Sequence, residues 1–300
     1  MTRQYPLCVE CGALPAVLDQ DCCWLHMAAS QEEVRELIVS RARGGQLQGA
    51  VLVGADLGGL NLSRANLSLA DLTGARLVGA RLDEANLGGA VLSEALGHGV
   101  HLEAAMLVGA TLQHTDMHEA YLEHADLGGA ALEHSSLYGV RGAGLRLEGG
   151  AMRSCHLTGA DLSGAHARGA DLRRCTGVGV ILDGARLEGA NLGSADLLRA
   201  DLRGAQLTGA SLELTRLREA ALEGATLREA QAHGCCLEEA TCGGADFSCA
   251  DLWRADLTGA DLREASFRNA SCWGTRFLGA RTGGVDWRGC QGVELATTAG

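Results

Sequence analysis

The stretch Ala70-Asp71-Leu72-Thr73-Gly74-Ala75-Arg76-Leu77-Val78-Gly79-Ala80 states a five-residue phrase twice and begins it again. Working outward in both directions, the same phrase, Ala-(Asp/Asn)-Leu-x-Gly or close to it, runs without a slip of phase from Ala50 to Cys290. Every fifth residue from Leu52 to Gly292 gives 49 positions, of which 34 are Leu; two residues earlier, from Ala50 to Cys290, 34 of 49 are Ala. Self-similarity at a fixed period marks a repeat solenoid. An unbroken repeat also leaves no long loops from which to build an active site, which argues against an enzyme.

A period of five is neither helical nor a simple strand. A helix needs apolar spacings of three and four, and a strand alternates every two. Here Leu and the small residue sit two apart, so both can point inward from one short extended segment. The next two positions are polar or Gly, and Gly recurs at the second of them (Gly54, Gly59, Gly74, Gly79, Gly129, Gly159, Gly169). Gly tolerates the positive φ that a type II turn demands. Each pentapeptide therefore reads as one side of a coil, an extended piece followed by a corner.

The exceptions to the phrase give the number of sides. Thr115, Ser135, Cys155, Cys175, Thr215, Cys235 and Thr275 replace Ala at spacings that are all multiples of 20; so do Val100, Val140 and Val180, with Leu60 in step. Phe247, Phe267 and Trp287 replace Leu at intervals of 20. Substitutions that recur every 20 residues mark stacked neighbours, so four pentapeptides close one square turn. Over about five-sixths of its length the chain resembles the pentapeptide-repeat family. That resemblance implies an all-β solenoid, a right-handed quadrilateral β-helix, here of about 12 coils and, at about 4.8 Å between stacked strands, on the order of 60 Å long. Gly97, Gly142 and Gly177 stand at Leu positions and predict thin spots in its core.

The 300 residues carry a formal net charge of −12, with 25 Arg and no Lys. Residues 46–300 hold 21 of those Arg against 31 acids, a balance that disfavours direct nucleic-acid binding by the rod. It permits the opposite, an acidic rod that imitates DNA, although Arg is interspersed on every face. No run reaches the roughly 18 apolar residues of a membrane span. Met1-Thr2-Arg3-Gln4-Tyr5-Pro6 leads into Cys8 with no apolar stretch, which predicts no secretory signal. Twelve Cys in such a chain then read as thiols or metal ligands in the cytoplasm rather than disulfides.

The N-terminal segment lacks the repeat. Cys8, Cys11, Cys23 and His26 fall as C-x2-C-x11-C-x2-H, with Cys22 an alternative to Cys23. Three thiolates and one imidazole suit one structural, tetrahedral zinc, and so short a segment needs such a staple. The expected organisation is a zinc-binding head over 1–27, a capping helix within 28–45, the β-helix over 46–295 and a tail over 296–300. Ser30-Gln31-Glu32-Glu33 reads as a capping box, Val34, Leu37 and Ile38 as an apolar stripe, and Gly44-Gly45 as the stop. The helix, near 31–43, would cover the open end of the first coil.

Trp253 and Trp273 lie in an outward phase, 20 apart, and are the candidate interface residues; Phe267, Phe277 and Trp287 lie in the Leu phase and are expected in the core. His98 with His118, and His114 with His134, read as exposed stacked pairs. No nucleophile elbow, phosphate loop or His–carboxylate constellation emerges, so no catalytic residue and no organic cofactor is assigned. The resemblance implies a non-enzymatic protein-binding scaffold. Its concrete form would be a DNA mimic that acts on a type II topoisomerase, DNA gyrase or topoisomerase IV, and protects against gyrase poisons, with dimerisation through the C-terminal end. The alternative is a zinc-dependent adaptor in which the head binds a partner and the rod is a spacer.

Overall fold

A computed structural model describes residues 31–45 and 47–293 of the chain. The zinc ligand set Cys8, Cys11, Cys22 or Cys23 and His26, together with Ser30 and the tail, lies outside the described residues.

The residue between Ala and Leu pairs in parallel with the residue 20 further on. Four such ladders start at Val51↔Asp71, Asp56↔Arg76, Asn61↔Arg81 and Asn66↔Asn86 and continue to Ser271↔Gln291. The chain is therefore a four-sided β-helix, one pentapeptide per side. The residues that recur every 20 do line one wall: Thr115 Oγ1 lies 3.1 Å from Ser135 Oγ. Along that wall the polar side chains donate to the Leu-phase carbonyl one coil back, as from Ser135 Oγ to Leu112 O (2.6 Å), Cys155 Sγ to Leu132 O (2.9 Å) and Thr215 Oγ1 to Leu192 O (2.9 Å).

One phrase accounts for all its own amides. Leu72 N–H donates to Val91 O on the next coil (2.6 Å), and Asp71 N–H donates to Ala50 O on the coil before (2.9 Å). Gly74 N–H donates to Ser93 O (2.8 Å), and Ala75 N–H closes the corner on Leu72 O (2.9 Å). Only Thr73 N–H has no backbone acceptor, and Asp71 Oδ1 takes it at 3.0 Å. The same bond recurs from Gly88 to Asn86, Ser163 to Asp161 and Trp253 to Asp251. A buried or half-buried N–H without a partner is costly. The Asp or Asn before Leu is thus the side chain that completes each corner as an Asx turn.

The corner residue before Ala has positive φ throughout, and in 21 cases it is not Gly, among them Arg64 (62°), Leu69 (60°) and Leu214 (56°). The expected link between the corner and Gly is therefore only partial. The ladder bonds on either side hold the left-handed conformation even where a Cβ makes it unfavourable by about 1–2 kcal/mol.

The core is a column of buried Leu and Ala. The expected thin spots at Gly97, Gly142 and Gly177 are absent, because a larger residue replaces Ala three positions on. A Cβ on Gly97 would lie 3.2 Å from Val100 Cγ1, one on Gly177 3.2 Å from Val180 Cγ1, and one on Gly142 3.6 Å from Leu145 Cδ2. Val100, Leu145 and Val180 are buried and fill the volume that the missing Leu would take.

Helix α1, Gln31–Arg43, begins with Glu32 and Glu33 and ends with Arg41 and Arg43, each sign at the end of the helix dipole that favours it. Gly45 at φ 69° terminates it. Val34 and Ile38 are buried in one cluster with Leu47 and Leu52. Arg35 donates from Nη2 to Gly58 O (2.6 Å) and from Nη1 to Asp56 O (3.2 Å). On an interior coil those two carbonyls would accept amides of the preceding coil.

At the other end Phe247, Phe267 and Trp287 stack with ring centroids 4.8 Å apart at each step. Phe247 and Phe267 are buried. Phe277 and Trp287, expected in the core, are only partly buried against it, since they belong to the last turn described.

Candidate functional site

Every side chain free of the core stands at one of three positions of the phrase: the flat of a side or the two residues of a corner. Twenty-residue stacking therefore writes the surface as columns. The densest is a His and Tyr band across neighbouring coils. His101 and Tyr121 lie parallel, with ring centroids 4.3 Å apart and planes within 4°, and the Arg141 guanidinium caps Tyr121 at 5.0 Å. On the adjoining corner His98 and His118 stack at 4.0 Å. Tyr138 follows in register and tilts toward His156 at 5.6 Å. The two columns flank a groove of about 480 Å³ lined by His98, His101, Glu119, Tyr121, Tyr138 and Arg141 over a floor of Gly99, Gly139 and Gly159. The second pair expected from the sequence, His114 and His134, is also stacked, at 5.2 Å.

Beside the band, Asp83, Glu103 and Glu123 occupy one corner column at intervals of 20. Asp83, His101 and Glu103 offer ligand atoms that lie within 4.8 Å of one another. Asp83 is already engaged by Arg81 Nε (3.1 Å) and Ser63 Oγ (3.0 Å). One oxygen each of Glu103 and Glu123 is buried without a hydrogen bond. Partial burial and the neighbouring Asp83 hold the Glu103 carboxyl above the usual carboxylate range.

Trp253 and Trp273, the interface candidates, are 44% and 56% exposed. Trp253 is held edge-on by His233 (6.0 Å) and lies under the Arg254 guanidinium at 4.2 Å. Leu278, next to them at the same end, is exposed as well. Of the cysteines near that end, Cys235 and Cys242 are buried and Cys249 is exposed, as their phases predict. Burial pushes the Cys235 and Cys242 thiols up, which leaves them inert. A pairing that the period of 20 does not reveal joins Cys272 and Cys290, 18 apart, with Sγ atoms at 3.2 Å. An inward Ala-phase side chain reaches diagonally to the Leu phase of the coil before, and only the diagonal offset could have signalled it.

Charge is unevenly spread. Between residues 46 and 140 three Arg face eleven acids, whereas residues 141–186 hold seven Arg against four acids. In the acidic part each Arg is matched: Arg64 with Glu84 (3.0 Å), Arg81 with Asp83 (3.1 Å) and Arg76 with Asp56 (3.9 Å). In the middle part Arg153 and Arg173 share Asp171. They line, with Arg174, a groove of about 310 Å³. No helix among the described residues is long and apolar enough to cross a membrane.

Eight copies of the model for pentapeptide repeats match the chain, within residues 46–83, 75–113, 155–193, 181–218, 207–241 and 245–281. No curated protein matches it. Among solved structures, it is similar to HetL, a pentapeptide repeat protein involved in heterocyst differentiation regulation from the cyanobacterium Nostoc sp. strain PCC 7120, at 27% identity over 84% of this chain and 94% of that one, with a TM-score of 0.33. It is also similar to a trypsin-treated form of QnrB1, a plasmid-mediated fluoroquinolone resistance protein (21% identity, 60% of this chain and 88% of that one, TM-score 0.40). A pentapeptide repeat protein of the Arabidopsis thaliana thylakoid lumen is 28% identical over 39% of this chain and 70% of its own, with a TM-score of 0.23. With its ladder of period 20, its Asx-closed corners and six matched stretches between residues 46 and 281, the chain belongs to the pentapeptide-repeat family, whose members fold as right-handed β-helices.

Proposed function

We propose that the chain is a non-enzymatic protein-binding scaffold whose acidic part, residues 46–140, presents itself to a type II topoisomerase, DNA gyrase or topoisomerase IV, as a DNA mimic. The observation that carries this reading is the charge of residues 46–140. A surplus of eight acids is spread along ~23 Å of axis, about one net charge per 3 Å against one per 1.7 Å in duplex DNA. The carboxylates sit at fixed flat and corner positions of a rigid ladder, so a partner meets them in a regular array. A supercoiling assay with gyrase, run with and without a fluoroquinolone, tests it. Inhibition at excess protein, or protection from the poison, supports the reading; neither effect at excess protein removes it.

Both ends of the rod have their own roles in this reading. Helix α1 is the N-terminal cap, with Arg35 supplying the donors that a preceding coil would have supplied. The exposed Trp253 and Trp273, with the half-covered Phe277 and Trp287, form a C-terminal dimer interface, since aromatic anchors favour interfaces. Light scattering at micromolar concentration then reads twice the 31.1 kDa chain mass, and a monomeric mass overturns the dimer.

The spacing C-x2-C-x11-C-x2-H favours a second reading. In it a zinc-bound head over 1–27, held by Cys8, Cys11, Cys23 (or Cys22) and His26, recognises the partner, and the rod of residues 46–295 is a spacer. Metal analysis expects about one structural zinc per chain, lost in Cys11→Ser. Zinc content unchanged by that substitution rejects the ligand set.

A further inference from the structure

We propose that Cys290 is a peroxide-reactive thiol and Cys272 its resolving partner, and that their oxidation to a disulfide clamps the last described coil of the rod. This chemistry needs neither the zinc head nor a topoisomerase. The two residues face each other diagonally across neighbouring coils. The ladder pair Ser271↔Gln291 lies between them; Cys272 N–H donates to Gln291 O (2.8 Å) and Gln291 N–H to Ala270 O (2.9 Å). Both side chains stand in inward phases of the same wall, and their Sγ atoms meet at 3.2 Å. One coil earlier Leu252 and Ala270 hold the same two positions. Cys in place of Leu removes the bulk that fills this diagonal, and Cys in place of Ala extends a sulfur across it. A disulfide needs about 2.05 Å between the sulfurs, so closing the bond takes a shift of about 1 Å. Among the described residues no ladder pair follows Ser271↔Gln291, which leaves Cys290 freer to move than a residue of an interior coil.

Access and acidity divide the roles. Cys272 is buried and Cys290 half-buried, so peroxide reaches Cys290 first. The thiolate is the reactive form. Ionised, Cys290 accepts a hydrogen bond from the Cys272 thiol, which holds it below the usual thiol range. The same bond, together with burial, pushes the Cys272 thiol up and keeps it protonated. The Cys290 thiolate attacks one oxygen of hydrogen peroxide. An S–O bond forms, the O–O bond breaks, and the departing hydroxide takes up the proton that Cys290 released, giving water and a sulfenic acid. The Cys272 sulfur then attacks Cys290 Sγ. The S–S bond forms, the S–O bond breaks, and the hydroxyl leaves as a second water with the Cys272 proton. Two thiols lose two electrons and two protons, and one peroxide becomes two waters. A dithiol reductant reverses the bond by thiol–disulfide exchange.

The other described cysteines lack one requirement or the other. Cys155 and Cys175 are stacked, but both are buried, and each donates to a carbonyl at 2.9 Å. Cys249 is exposed, but its column neighbours one coil away are Glu229 and Asn269. The experiment exposes the zinc-loaded full-length protein to hydrogen peroxide, blocks free thiols with iodoacetamide, then unfolds and digests it with trypsin without reductant. Cleavage after Arg268, Arg276 and Arg288 puts Cys272 in peptide 269–276 and Cys290 in peptide 289–300. The expected product is these two peptides joined, two hydrogens lighter than their sum, in the wild type and in Cys249→Ser, and lost after dithiothreitol. Cys272→Ser should instead leave Cys290 as a sulfenic acid that dimedone captures, formed roughly tenfold faster than at Cys249. Cys290→Ser should leave Cys272 reduced. In the oxidised wild type, amide exchange should slow at Arg281, Asp286 and Gln291, whose N–H groups donate to the coil before, and stay unchanged at Leu202. Peroxide that oxidises Cys249 while the two peptides remain separate overturns the proposal, as does a bond from Cys290 to any other cysteine or unchanged exchange in the last described coil.

Discussion

At the scale of single residues, the phrase is a set of paired compromises. Asp or Asn before Leu takes the one amide that the ladder leaves free, as Asp71 does for Thr73 and Asn86 for Gly88. Polar residues on the Ala wall survive because they donate to a Leu-phase carbonyl, Ser135 and Thr215 to one a coil back and Thr115 to Leu112 O on its own coil. The same pairing governs volume. Gly177 is tolerated because Val180 stands where Ala would, and the two cannot be changed independently: a Cβ at Gly177 already meets Leu197 Cδ2 at 3.0 Å and Val180 Cγ1 at 3.2 Å. Gly177→Leu alone should therefore destabilise the protein by about 1–3 kcal/mol, the usual cost of overpacking. Adding Val180→Ala restores the common Leu–Ala pair and should return most of that loss. Urea denaturation of the two single variants and the double variant measures the coupling. If the double variant is as unstable as Gly177→Leu alone, the compensation does not exist.

At the scale of elements, α1 and the first coil form the only junction in the described residues where helix meets ladder. Ile38 is fully buried there, and Arg35 ties the sheet edge through Asp56 O and Gly58 O. Ile38→Ala should cost about 2–4 kcal/mol if the site cannot collapse, and Arg35→Ala about 1 kcal/mol for the lost bonds. In a solenoid each coil feels only its neighbours, so the loss should be local. Amide hydrogen exchange should speed up at Leu52, Leu57 and Gly59, whose N–H groups donate to the second coil, and stay unchanged at Leu202. Equal acceleration along the whole rod, or none at the first coil, would show that α1 does not hold this end. The helix was legible from Val34, Leu37, Ile38 and Gly44-Gly45 because helical spacing breaks off where the period of five begins. The role of Arg35 was not, because an apolar stripe says which face is buried but not which exposed side chain reaches back to a carbonyl.

At the scale of the molecule, the fold was written almost completely in the sequence. A fivefold phase kept from Ala50 to Cys290 fixes what faces inward, and exceptions at multiples of 20 fix what stacks. The surface was less legible, since the outward positions are not bound by the core. His98 and His118 could be seen to align, but the Nδ1 partners that set their chemistry depend on rotamers, and the diagonal approach of Cys272 to Cys290 obeys no 20-residue rule. The acidic balance also has a structural share. In Asp171, Asp201 and Asp261 the same carboxylate closes a corner and grips an Arg two residues on: Arg173, Arg203 and Arg263. Those guanidiniums hold the three carboxyls below the usual range, Asp261 down to about 2. A carboxyl whose pKa is depressed by folding contributes stability that is present above its unfolded value, near 3.9, and is lost as pH falls through the folded value. Each exposed pair contributes little, but the corners repeat, so the losses accumulate along the rod. The urea midpoint should hold between pH 7 and about 5 and then fall steadily toward pH 2. Arg263→Ala should lower the midpoint at pH 7 and flatten its fall at low pH, since Asp261 would then titrate closer to its unfolded value. A wild-type midpoint that is the same at pH 2.5 as at pH 7 would mean that the corner carboxylates are spectators, and that their regular array reflects the charge they present to a partner rather than the stability of the coil.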